Sequence, residues 1–213
     1  HNLRSPAGNI RALLDFYHND PNEENFKIVL EKLDVVSEDL LDTINDLADV
    51  VKIKNEISQD FRAINLAKLI EKANVSLSQE ILDKKATIEV QLNGISFIKA
   101  SKTYMDSIIL NLLSNALKYS QKKVPPRIHI SAAHDETCLI LKVEDNGLGI
   151  DMELYGSKLF GLRKTFHKNK DSRGVGLFIT KAQVEAMQGT IYADSEPGKG
   201  ATFYIRLPKK MIV

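Results

Sequence analysis

Asn111-Leu112-Leu113-Ser114-Asn115-Ala116-Leu117-Lys118-Tyr119-Ser120 is the stretch on which the reading of this chain turns. Asn111, Asn115, Lys118 and Tyr119 follow one another at steps of four, three and one, so a helix sets them along one edge of an otherwise apolar surface. Taken alone, that edge also fits a plain solvent face. The helix itself reads as Tyr104–Tyr119 and is strongly apolar. Working outward, Leu66–Lys84 reads as helical and Thr87–Leu92 as a strand. Downstream, Arg127–Ala133 and Cys138–Glu144 alternate like paired strands. A helix at Leu177–Met187 is followed by strands at Thr190–Ser195 and Ala201–Leu207, joined by the turn Glu196-Pro197-Gly198-Lys199-Gly200. Strands and helices in this order predict an α/β sandwich, a mixed sheet with helices packed on one face.

Three glycine-bearing segments belong with the asparagine helix. In Asp145-Asn146-Gly147-Leu148-Gly149-Ile150 an acid ends a strand, and two glycines then let backbone approach a ligand closely. A carboxylate there can accept an amine hydrogen bond, although a strand-end turn has the same composition. Arg173-Gly174-Val175-Gly176-Leu177 runs into a helix, whose first N–H groups form a natural anion site. It lacks the lysine of a P-loop and does not follow a strand, which argues against a Rossmann or P-loop site. Gly198-Lys199-Gly200-Ala201-Thr202-Phe203 is by itself a hairpin turn. Between the second and third segments lie Lys158, Arg163, Lys164, His167, Lys168, Lys170 and Arg173, a basic loop suited to closing over phosphate. The apolar Leu159-Phe160-Gly161-Leu162 inside it is a poor choice for plain surface. Amide oxygens such as those of Asn111 and Asn115 are hard donors suited to Mg²⁺, and a nearby Lys118 suits phosphate.

The N-terminal region is different. Residues 1–18 read as one helix, Asn19-Asp20-Pro21-Asn22 as a turn with an N-cap, and a second helix runs from about Glu23 to the mid-fifties without Gly or Pro. Phe26, Leu33, Leu40 and Leu47 form one row at heptad spacing; Val29, Val36 and Val50 form another, interrupted by Thr43. A helix of about 33 residues spans about 50 Å, and two helices cannot bury such a seam on both sides. A second copy, giving a dimeric four-helix bundle, is the economical solution, and an intramolecular hairpin lying on the following domain is the alternative. The domains are therefore placed at residues 1–57, a helical hairpin, and 58–213, the sandwich.

Composition narrows the classes further. A chain of 213 residues, 43% hydrophobic and 27% charged, can bury a real core. No apolar run approaches membrane-spanning length, so no membrane contact is expected of this piece. The single Cys138 excludes a disulfide framework and a multi-cysteine metal site. A net charge of +1 argues against a nucleic-acid binder. That total conceals a split: residues 1–58 hold 6 Lys+Arg against 12 Asp+Glu, and residues 59–213 hold 23 against 16. The remaining histidines, His18, His129, His134 and His167, lack metal-ligand spacing.

In this order the segments resemble the ATP-binding domain of sensor histidine kinases, over roughly residues 58–213. The resemblance implies that ATP and Mg²⁺ bind here. Asn111 and Asn115 would hold Mg²⁺, Lys118 would lie near phosphate, Tyr119 near adenine or ribose, and Asp145 would bind the adenine amine. Gly147, Gly149, Ile150, Gly174, Val175, Gly176, Leu177 and Thr202 would shape the pocket and lid hinges, with Phe160 the lid aromatic and Lys164 a lid cation. Ala201 departs from the Thr or Ser often found there.

His1-Asn2-Leu3-Arg4-Ser5-Pro6 is similar to the same family's phosphoacceptor box. Neutral imidazole is a nucleophile, and Pro6 removes a helical N–H and crowds the carbonyl of Asn2, which bends a helix beside the reacting residue. Arg4 can pair with an acid or phosphate. The family usually has Glu or Asp after the histidine; Asn2 cannot take a proton, though it can orient the ring. Ser5 stands where the phosphatase pattern has Thr or Asn. The resemblance thus implies an ATP-dependent homodimeric kinase that phosphorylates His1 and passes the group to an aspartate on a response-regulator receiver domain. The chain would be the cytoplasmic portion of a larger, bacterial sensor whose upstream half is missing. An ATPase of the same nucleotide fold and a nucleotide-binding dimeric scaffold without turnover are the rival classes.

Overall fold

The computed structural model describes residues 4–55, 61–162 and 174–213. The chain divides into two compact units, His1–Lys52 and Ile53–Val213.

The first unit is a helical hairpin, α1 (Arg4–Asn19) and α2 (Glu23–Asn55), whose last turn falls in the second unit. The turn chemistry works as its composition suggests. Asn22 Oδ1 accepts from the Asn25 N–H at 2.8 Å, capping α2, and Asn25 Nδ2 donates back to the Asp20 carbonyl at 2.8 Å. Tyr17 and Phe26 pack ring against ring across the turn, with centroids 5.7 Å apart. Val29 is buried, and Leu33, Val36, Leu40, Leu47 and Val50 of the two expected rows are half-buried. Phe26, however, is exposed. A third heptad row one position further round, Leu30, Ile44 and Val51, is 46%, 47% and 58% exposed. Pro6 sits in the first turn of α1, where a missing N–H costs little; the bend expected beside His1 and Asn2 lies outside the described residues.

The second unit is the mixed-sheet sandwich. After β1 (Phe61–Asn65) come α3 (Leu66–Ser76), α4 (Ser78–Lys84), β2 (Thr87–Gln91), β3 (Phe97–Ser101) and α5 (Lys102–Lys118). Then follow β4 (Arg127–His134), β5 (Cys138–Asp145), a short α6 (Met152–Tyr155), α7 (Gly176–Ala186), β6 (Thr190–Glu196) and β7 (Gly200–Pro208). The main sheet has the order β2-β4-β5-β7-β6, with β2 parallel to β4 and the other neighbours antiparallel. Its inner face carries Ile128, Ile130, Leu139, Leu141, Val143, Phe203, Ile205 and Leu207, all buried. Against them lies the apolar side of α5, with Met105, Ile108, Ile109, Leu112, Leu113 and Leu117 buried. Each such side chain contributes about 1.5–3 kcal/mol on burial, enough for α5 to anchor the unit.

Two features differ from the expectation. The single helix expected at Leu66–Lys84 is two, because the chain breaks at Leu77 before α4 restarts. β1 and β3 pair antiparallel as a separate two-stranded sheet, which the sequence does not announce. At five residues each they are too short to establish a period.

Candidate functional site

α5 carries the asparagines, and its cap places the residues that follow. Ser101 caps its N-terminus by accepting from the Tyr104 N–H at 3.4 Å. At the other end Lys84 Nζ donates to the Leu117 carbonyl at 2.6 Å and to Ser120 Oγ at 3.3 Å, a cation on the negative end of the helix dipole. The Asn111 Nδ2 donates to Thr180 Oγ1 of α7 at 2.8 Å. Its Oδ1 lies so close to Gly176 that a Cβ there would collide with it. Gly176 is thus the residue that lets the start of α7 settle on Asn111. The N-cap there is buried Val175, after Gly174 at φ +70°, and its side chain has no acceptor to offer the first N–H groups of α7.

Asp145 ends β5, the middle strand of the main sheet. Its Oδ1 accepts from the Gly147 N–H at 2.8 Å and the Ala201 N–H at 3.3 Å, and Oδ2 takes neither bond. Burial pushes its carboxyl above the usual range and Glu144 adds to this, while the two N–H bonds pull the other way. The loop beyond it is tightly held. Gly149 has φ +67° and abuts the carbonyl of Glu196, so only glycine fits. Ile150 N–H donates to Ser195 Oγ at 2.8 Å, and that hydroxyl donates to the Gly200 carbonyl at 2.6 Å. The Leu148 N–H reaches the Tyr119 carbonyl at 2.9 Å, tying the loop to the end of α5.

A cavity of about 790 Å³ opens at that end, walled by Lys84, Lys118, Tyr119, Gln121, Lys123 and Leu148 among others. Asn111, Asn115 and Asp145 stand outside its wall. Leu159 and Leu162 are buried and Phe160 half-buried, so the apolar segment is not plain surface. Arg4 begins α1 and is exposed. His1, Asn2 and Lys164 lie outside the described residues, as does the basic stretch 163–173.

The structure therefore gathers Asn111, Gly174, Val175 and Gly176 at the α5–α7 junction, with Asn115 one turn further along α5. It sets Lys118, Tyr119, Asp145, Gly147, Gly149 and Ile150 around the α5 terminus and the β5–β7 edge. Thr202 is a correction. It is opposite Glu144 and Asp194 in the sheet register, on the face that looks away from the helices, because residues alternate sides along a strand. Ala201, not Thr202, stands beside Asp145. Sequence reasoning missed Gln121, Ser195 and Thr180, whose partners are 25 to 77, 45 and 69 residues away in the chain.

For a divalent ion, the donor set suits Mg²⁺ arriving with phosphate. Among the described residues no group of three or more His, Cys, Asp or Glu could hold a metal alone. Two neutral amide oxygens on one helix leave most of an octahedral shell to phosphate and water.

A main sheet covered on one face, a strand-end acid and a glycine-opened α7 make up an ATP-binding sandwich of the kind built without a P-loop. The sequence profile of the histidine kinase-, DNA gyrase B- and HSP90-like ATPases matches residues 100–211. The chain belongs to that family. Among curated proteins it is 28% identical to the phytochrome-like protein Cph1 of Synechocystis over 98% of this chain and 28% of that protein. It is 28% identical to the sensor histidine kinase YcbM of Bacillus subtilis over 98% of this chain and 69% of that one. The chain spans 19% to 36% of the length of several of the relatives it matches, Cph1 among them. Its fold is that of the Acinetobacter baumannii histidine kinase AdeS, with a TM-score of 0.62 at 24% identity, covering 98% of this chain and 97% of the other. No helix among the described residues is long and apolar enough to cross a membrane.

Proposed function

We propose that the chain is the kinase core of a two-component sensor, which transfers the γ-phosphoryl group of ATP to His1 and then to an aspartate on a response-regulator receiver domain. The observation that carries this reading is Asp145: a strand-end carboxylate whose Oδ1 is taken up by one loop N–H, of Gly147, and one strand N–H, of Ala201, while Oδ2 takes neither. A half-buried acceptor in that state selects an amine such as that of adenine. Tyr119 and Ile150 flank the base, Lys118 faces phosphate, and the N–H groups at the start of α7 receive phosphate oxygens. Asn111 and Asn115 would hold Mg²⁺, which when bound neutralises charge on the transferred group. Lys164 and the rest of the basic loop close over the triphosphate and exclude water.

In the transfer itself a ring nitrogen of His1 attacks the γ-phosphorus, forming an N–P bond as the bond to the ADP oxygen breaks. Asn2 orients the ring without taking its proton, which passes to solvent, and Arg4 balances phosphate charge. The domains would divide as 1–57, carrying His1, and 58–213, carrying ATP. The exposed row Leu30, Ile44 and Val51 favours a second copy of the hairpin, completing a four-helix bundle. In this reading the chain is the cytoplasmic part of a longer sensor.

Incubation with γ-labelled ATP tests the assignment. The chain should acquire acid-labile, base-stable label, and His1→Gln and Asn115→Ala should both abolish it. Label that persists in His1→Gln excludes His1 as the acceptor, and ATP hydrolysis without any label leaves an ATPase. Nucleotide binding without any label leaves a scaffold.

A further inference from the structure

We infer that Gln121 is a positioning residue for the nucleotide site, clamping the loop that follows Asp145 to the β6–β7 turn. The inference rests on the nucleotide reading of that loop. Gln121 Nε2 lies 3.0 Å from the Asn146 carbonyl, 3.0 Å from the Gly147 carbonyl and 3.1 Å from the Gly198 carbonyl. A primary amide carries two N–H bonds, so one of the three is shared. The arrangement also settles which way the amide points, since its own oxygen in that place would face three carbonyl oxygens.

The geometry matters because of what the three carbonyls belong to. Asn146 and Gly147 directly follow the acid, and the Gly147 N–H is one of the two that hold Asp145 Oδ1. Gly198 sits at φ +81° in the β6–β7 turn, and its own N–H donates to the Leu148 carbonyl at 2.7 Å. Leu148 in turn donates to the Tyr119 carbonyl, two residues before Gln121. The result is a closed circuit of bonds: the α5 terminus to the loop, the loop to the turn, and the turn back to Gln121. Ser195, by comparison, ties the loop end at Ile150 to Gly200. Without the amide, the peptide units around Gly147 can rotate, and glycine has no Cβ to oppose that rotation. The Asp145 carboxylate would then lose its fixed direction. Binding an adenine base would have to order the loop first, so affinity falls through lost pre-organisation.

Gln121→Glu tests this at constant volume. A packing role predicts no change, because Glu and Gln have the same shape; a clamp predicts loss, because a carboxylate repels three carbonyl oxygens. Gln121→Met, which keeps the length but has no donor, is the second variant. Three readouts on the full chain decide the matter: dissociation constants for ADP, melting temperature, and amide exchange at Gly147, Leu148 and Gly149 without nucleotide. The clamp requires ADP binding about tenfold weaker in Gln121→Met and weaker still in Gln121→Glu. Exchange at those three amides should be faster in both, with the melting transition shifted by no more than a few degrees. Wild-type ADP affinity and exchange in Gln121→Glu overturn the inference and leave the nucleotide reading standing. A wild-type chain that binds no ADP overturns the nucleotide reading, and this positioning role with it.

Discussion

Asp145 is held in a state that costs stability. Its carboxyl is raised above the ordinary range by burial, so the folded chain binds the proton more tightly than the unfolded one. A raised carboxyl is least costly below its unfolded pKa, and the penalty grows as pH climbs through the folded value. Wherever the group is ionised it therefore works against the fold, which fits the ligand-binding role proposed for it. Asp145→Asn separates the two effects. The amide oxygen can still accept from Gly147 and Ala201, while the outer position becomes a donor that opposes an adenine amine. ADP affinity should fall about 10- to 100-fold, and the melting temperature at pH 7 should hold or rise. Their difference in melting temperature should shrink as pH is lowered toward 4, a carboxylate pKa. A calorimetric pH series checks this, and a clear drop in melting temperature at pH 7 would show that Asp145 is structural. The same scale shows where residue-type reasoning failed. Asp145, Gly147 and Gly149 were legible as an acid and two glycines at a strand end, a composition that a plain turn shares, and the structure places them in such a turn. Thr202 was misplaced because strand parity, one residue either way, decides which face a side chain joins.

Among the elements, α2 has the most apolar surface without a visible partner. Val35, Leu41, Ile44 and Val51 are exposed at 66%, 59%, 47% and 58% along one helix. A lone hairpin leaving that much hydrocarbon in water invites association. Ile44→Glu, placed in the exposed row, should convert a dimer into a monomer in sedimentation equilibrium without loss of helix content by circular dichroism. A comparable change at an already solvated site, Glu38→Gln, should leave the dimer intact. A monomeric wild-type chain would refute the bundle. How far the elements could be read follows from length and period. α2, α5, β4 and β5 declare themselves through many repeats of one spacing. β1 and β3 give three apolar positions each, only two of them large, and exist because they pair with each other. The seam was legible as two rows, but the third row at Leu30, Ile44 and Val51 was not, since a period identifies a face and not what covers it. Gln121 and Ser195 were illegible for a related reason. Their partners are mainly backbone groups on distant segments, and backbone leaves no mark in the sequence.

At the scale of the whole molecule the two ends of the chain carry opposite charge: 6 basic against 12 acidic residues through residue 58, and 23 against 16 beyond it. Fields of opposite sign raise the frequency with which two bodies meet, and under the proposed transfer to His1 the encounter with ATP benefits from attraction that is weak and long-ranged. Surface charges separated by more than about 10 Å are screened at 0.1 M salt. The rate of labelling at His1 should therefore fall several-fold between about 0.05 M and about 0.5 M salt. Part of that fall has another origin. Lys158, Arg163, Lys164, His167, Lys168, Lys170 and Arg173 form the stretch expected to face triphosphate, and screening weakens ATP binding as well. Measuring the rate at saturating ATP, with occupancy checked by ADP displacement at each salt, removes this contribution. If the saturated rate is flat across the series, the charge split serves solubility or nucleotide binding and not the encounter. If it falls, replacing acidic residues in the hairpin by their amides should lower the low-salt rate toward the high-salt value and flatten the dependence. Asp34→Asn combined with Glu38→Gln and Asp42→Asn is the direct form of that test, since those changes leave the ATP-binding unit untouched.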